Sequence, residues 1–206
     1  MLTVAVVAAL VALPAQNTKT AGPSCAPRPG RGVPVTVDAH IPGFTAEQVV
    51  AAFTSEAMLN AVAPASGLKS RALVQDDVAS DGRRFRRIRM RPAVEIPPAL
   101  RAFGSEDQLV YDEVATWDAD RRTMRFHMDN AVCDRVRYGG TLAFVDVADG
   151  VRVKLRARLE VDAFMVGGLV EGLVRGGVED GWKKLASFTR TWLEKHPTPT
   201  AQVAAR

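Results

Sequence analysis

The stretch Val151–Ala163, "VRVKLRARLEVDA", decides the fold. Its odd positions are apolar: Val151, Val153, Leu155, Ala157, Leu159 and Val161. Its even positions are charged: Arg152, Lys154, Arg156, Arg158, Glu160 and Asp162. Side chains alternate across a β-strand, so this period of two makes one dry face and one wet, mostly basic face. A dry face needs neighbouring strands and a cover, and the rest of the chain has to supply both.

Working back from that strand, "ADG" is a hairpin turn signal and "DRVRYGGTLAFVDV" is the strand before it, bent at Gly139 and Gly140. "RTMRFHMD", "DQLVYDEVATWD", "RRFRRIRMRPAVEIP" and "LKSRALVQDD" read as further strands, with Pro92 marking an edge, a bulge or an end. "VPVTVDAHI" (Val33 to Ile41) is the first strand. Thr45 then caps a helix over "TAEQVVAAFTS", and a second short helix, "EAMLNAVA", stops near Pro64.

Beyond the opening strand the alternation stops. Leu169, Leu173, Leu185, Phe188 and Trp192 recur at helical spacing, and Pro197 closes one long helix. The order is β-α-α, six more strands and a long C-terminal helix. This is an α+β chain: a seven-stranded curved antiparallel sheet wrapped around an amphipathic helix that covers its apolar face. Gly167, Gly168, Gly172, Gly176, Gly177 and Gly181 crowd the first half of that helix. Close backbone packing, open volume for a ligand, or a bent segment would each account for them.

This order resembles the helix-grip fold of the START-like (SRPBCC) superfamily. The resemblance rests on "TAEQVVAAFTSEAMLNAV" after the first strand, the strand pair around Trp117 and Phe126, and "GGLVEGLVRGGVEDGWKKLASFTRTWL" after the seventh. It looks closest to bacterial members of unknown function, with a second likeness to PRELI-type phospholipid-transfer proteins. It spans roughly Val33 to His196 and includes no diagnostic catalytic motif. The resemblance implies an apolar cavity between sheet and helix. Members include lipid carriers, metabolite receptors, aromatic cyclases and hydrolases, so fold is implied more firmly than function.

The chain has 206 residues, enough for one domain, and 47% hydrophobic residues exclude wholesale disorder. Residues 1–31 are set apart as a signal-like apolar segment and a Pro/Gly-rich linker, 32–196 form the domain, and 197–206 are a disordered tail. "MLTVAVVAALVALPAQN" is too short to span a membrane and suits a signal-peptide core, although basic residues ahead of it are missing. A misassigned start at Val33 is the competing reading, and export is favoured. Cys25 and Cys133 form no framework or zinc pattern, and no bridge between them is expected.

The function expected is binding or transport of a small apolar or amphipathic, lipid-like ligand. The expected wall is Phe85, Leu109, Tyr111, Met124, Phe126, Met128, Leu155, Leu159, Leu169 and Leu173. No catalytic residue, cofactor or metal is assigned: His40, His127 and His196 belong to no ligand or nucleophile pattern, and no phosphate loop is present. The enzyme alternative, cyclase- or hydrolase-like, needs Glu113, Tyr111 or His127 to face inward. For acidic residues such as Asp112 and Glu113, pairing with an arginine is the expected role. The run Arg83–Arg91, "RRFRRIRMR", and the even residues of the opening strand read as a solvated outer face. A third reading is a partner-binding module on that basic face, or peripheral contact with an anionic membrane surface. Nucleic acid is excluded by 6% aromatic residues and a net charge of only +4.

Overall fold

The computed structural model describes residues 25–93, 110–118, 120–130, 136–161 and 167–196; for residues 130 and 167–174 it describes the backbone alone. The elements are β1 (Val33–Pro42), α1 (Ala46–Thr54), α2 (Glu56–Val62), a 3₁₀ turn (Pro64–Ser66), β2 (Leu68–Val78) and β3 (Arg84–Pro92). They continue with β4 (Tyr111–Trp117), β5 (Thr123–Asn130), β6 (Val136–Val147), β7 (Gly150–Val161) and α3 (Gly167–Lys195). All seven strands form one antiparallel sheet in the order β1-β7-β6-β5-β4-β3-β2. The expected α+β helix-grip architecture is the one observed.

Register separates the two faces. Val153, Leu155, Ala157, Leu159 and Val161 of β7 are all buried, and they sit opposite Val33, Val35, Val37 and Ala39 of β1. On the other side they meet Val136, Tyr138, Leu142 and Phe144 of β6. This is the concave face, and the dry parity of the opening strand lies on it. Backbones crowd most at Gly139–Gly140. A Cβ on Gly140 would collide with the Arg156 carbonyl and Ala157, and one on Gly139 would lie 2.7 Å from the Phe126 carbonyl oxygen. Glycine is required here because neighbouring strands approach too closely for a side chain.

α3 lies along β1 and β7. Its Ala186 and Leu193 are buried in the main core, with Trp182, Leu185, Phe188 and Trp192 packed against it. Phe53 meets Phe144 edge-on and Trp117 stacks on Phe144, with centroids 5.2 and 5.7 Å apart, and such aromatic pairs contribute about 0.5–1.5 kcal/mol each beyond their buried area. α1 starts with a capping box, Thr45 with Gln48. Asp146 of β6 accepts from the Ala46 N–H at 2.7 Å and ties the helix start to the sheet. A second, smaller apolar cluster joins Leu59 and Ala63 to Leu68, Ile88 and Met90, with Leu73 and Tyr111 against it.

Three expectations about the chain's outer surface are corrected. Residues from Cys25 onward, set apart from the domain in the sequence, form a strap on the convex face. Cys25 is only 5% exposed, and it is disulfide-bonded; the chain has a single other cysteine, Cys133, which lies outside the described residues. Glu160, placed on the wet face by its parity, is buried beneath the strap: Arg28 Nε donates to its carboxylate at 2.6 Å and the Arg28 backbone N–H at 3.1 Å. Burial pushes the Glu160 carboxyl up, but the Arg28 hydrogen bonds outweigh it and hold the group below its ordinary range. Alternation assigns a face; it does not reveal which part of the wet face another segment covers.

Candidate functional site

Inward parity on β2, β3 and β4 carries polar side chains where the other strands carry apolar ones. β3 runs Arg84, Arg86, Ile88 and Met90 along the concave face, and β4 runs Tyr111, Glu113, Ala115 and Trp117. β2 adds Arg71, Leu73, Asp76 and Val78, because a register shift between Leu73 and Gln75 displaces Val74 and changes the parity midway. Met128 lies opposite Glu113 on β5, and Phe126 opposite Ala115. The polar group therefore sits on the seam between the two apolar clusters.

Arg86 is 2% exposed, yet its Nε and Nη2 make no hydrogen bond, and neither does the buried Nε of Arg71. Asp76 Oδ2 lies 3.3 Å from Arg86 Nε. Asp76 is engaged elsewhere: Arg84 grips it with two hydrogen bonds of 2.6 Å, which hold its carboxyl below the ordinary range. Burial weakens the basicity of Arg86. It also pushes the Glu113 carboxyl up, against the opposing pull of Arg71 and Arg86. Glu113 forms no ion pair among the described residues and retains partial exposure although it stands deep on the concave face. Burial raises the Tyr111 hydroxyl to about 12. The Tyr138 hydroxyl is raised by the same cause and accepts a 3.1 Å hydrogen bond from Trp182 Nε1 of α3. Tyr138 also meets Phe126 edge-on, with centroids 5.4 Å apart.

Of the residues expected to form a wall, Met124, Phe126, Leu155 and Leu159 face inward and are buried in the main core. Tyr111 and Met128 face inward and are half-buried. Phe85 is corrected: it pairs with Asp77 and Thr116 on the convex parity, and Arg86 takes the inward place. Leu109 lies outside the described residues, as do the side chains of Leu169 and Leu173. Arg86 is also a correction to the solvated basic run. Ile88 and Met90, two and four residues beyond it, were the signal for its direction. The role expected of the acids falls to Asp112, whose carboxylate accepts from Arg89 Nε at 2.9 Å and Arg87 Nη1 at 3.2 Å on the convex face. Arg89 holds its carboxyl below the ordinary range.

The convex face has a separate open groove of about 570 Å³ between the strap and the sheet, lined by Pro27, Arg125, His127, Gly139, Arg156 and Arg158 among others. His127 points there, away from Glu113, and burial lowers its pKa. Elsewhere this face carries paired charges, such as Arg152 with Asp38 at 3.0 Å. Among the described residues no group of His, Cys, Asp and Glu is arranged to hold a metal ion.

The concave face with its polar seam sits on a fold shared with solved structures. The crystal structure of TTHA0849 from Thermus thermophilus is 20% identical, covers 81% of this chain and 100% of its own, and superposes with a TM-score of 0.55. For Zhui aromatase/cyclase from Streptomyces sp. R1128 the values are 13%, 83%, 98% and 0.54. For a START superfamily protein from Mycobacterium smegmatis they are 15%, 79%, 99% and 0.52. The common element is the START-like helix-grip fold; at these identities the likeness concerns fold alone. No curated protein matches the chain. A family model described as a protein of unknown function (DUF2505) matches residues 36–193, and the chain belongs to that family.

Proposed function

We propose that this member of the DUF2505 family binds a small amphipathic, lipid-like molecule between the concave face of the sheet and its C-terminal helix. The observation that carries the reading is the polar seam itself. Glu113, Tyr111, Arg71 and Arg86 stand on the concave face of β2–β4, while α3 lies over β1 and β7 at the other side of the sheet. A core built only for stability would place apolar residues at these positions, since a buried charge without a partner is costly. Met128 packs against the main core, to which Phe126 belongs, and Tyr111 packs against the smaller cluster, so apolar surface stands on both sides of the polar groups. Native mass spectrometry of protein purified from its own host tests this: a co-purified adduct of a few hundred daltons is expected, and a bare polypeptide mass that takes up no fatty acid contradicts it.

A second reading is acid–base chemistry at the same place, of the kind a cyclase or hydrolase needs. The inward position of both Tyr111 and Glu113, the latter with its carboxyl raised by burial, supports it. The disulfide at Cys25 supports an exported, oxidising location for either activity.

A further inference from the structure

We infer that the ligand's polar end is a compact oxyanion, a carboxylate or a phosphate, received by Arg86 and Arg71. The inference rests on the proposed ligand site and names the chemistry of one end of its occupant. Three buried N–H groups on this face make no hydrogen bond: Nε and Nη2 of Arg86 and Nε of Arg71; the carboxylate nearest to Arg86, Asp76 Oδ2, pairs with its Nε at 3.3 Å without hydrogen-bond geometry. Buried donors in native proteins find partners, so an unmet set on one face marks the place of an acceptor that arrives from outside the chain.

The chain's own acids do not fill that place. Asp76 is held bidentate by Arg84. Glu113 interacts with both Arg71 and Arg86 through space but forms no ion pair with either among the described residues. On the inward parity of β2–β4, Arg71, Arg84 and Arg86 face only Asp76 and Glu113, so positive charge is in surplus. Burial disfavours the charged form of Glu113, against the pull of Arg71 and Arg86. A neutral alcohol offers these donors one weak acceptor. An oxyanion offers several and meets the planar guanidinium in its preferred geometry. Ile88 and Met90, next along β3 and both buried, belong to the smaller apolar cluster and supply apolar surface beside the charged groups.

The test uses the full chain and three probes with the same apolar body: dodecanoate, dodecyl phosphate and dodecanol. Both anions are expected to bind at least about tenfold more tightly than the alcohol, as charge-assisted hydrogen bonds require, and the tighter of the two identifies the kind of oxyanion. Arg86→Met should bring the anions to the alcohol's affinity and leave the alcohol unchanged. Arg71→Met, at a half-exposed position that the fold tolerates, should reduce the preference by several fold and decides the matter if the first variant does not fold. Equal binding of alcohol and anions by the wild type, or a preference untouched in the variants, overturns the oxyanion inference alone. Failure of all three probes to bind overturns the ligand-site reading beneath it.

Discussion

At the scale of single residues, Glu113 is the most informative side chain. Its folded pKa lies above its ordinary value because burial disfavours the carboxylate. A carboxyl raised in this way is a net cost to folding above its folded pKa, and the cost disappears as pH falls through that pKa toward the unfolded value. Glu113→Gln keeps the shape and removes the charge. The variant is therefore expected to melt at a higher temperature than wild type near neutral pH, and at the same temperature once the Glu113 carboxyl is protonated in both the folded and the unfolded state. Thermal melts from pH 4 to pH 8 check this; a variant less stable at neutral pH would mean that attraction to Arg71 and Arg86 outweighs burial. If the acid–base reading holds, the same variant binds ligand and turns over none. Sequence parity places Glu113 with Tyr111, and that pairing is present in the structure. That it forms no ion pair among the described residues was not legible, because salt-bridge partners depend on register across strands. Arg86 escapes a sequence reading for a related reason: Phe85 is the more hydrophobic neighbour, but Ile88 and Met90 set the parity.

At the scale of elements, β2 and α3 separate what pattern can and cannot reveal. The one-residue bulge at Val74 brings Arg71, Leu73 and Asp76 to one face, which strict alternation places on two. Nothing in "LKSRALVQDD" marks the bulge. In α3 the helical period was plain, and the glycines posed the question. An ideal Cβ at Gly176 or Gly181 meets no atom within 4 Å, so close backbone packing does not explain these two. Gly176 is exposed, and Gly176→Ala is expected to stabilise the protein by about 0.5–1 kcal/mol through backbone entropy and helix propensity. Denaturant unfolding measures it; a loss of stability would restore a packing role for that glycine.

At the scale of the whole molecule, two apolar clusters meet across a polar seam, and a strap held by Arg28 on Glu160 lies on the outer face. The overall order of elements was legible because each dry parity must be covered and α3 is the longest amphipathic element available. The strap was not, because "CAPRPGRG" has no apolar period, and its hold on the sheet comes from Arg28 on Glu160. The central claim is that a ligand enters at the seam, between Tyr111 and Met128. The most direct measurement is the ¹³C-methyl spectrum of methionine-labelled protein as dodecanoate is added. The account predicts that the Met128 methyl shifts first and Met90 with it, while Met58, buried against the main core beside α1, stays in place. Saturable binding of dodecanoate with the Met90 and Met128 methyls unmoved would contradict the account, because the ligand would then be seated elsewhere.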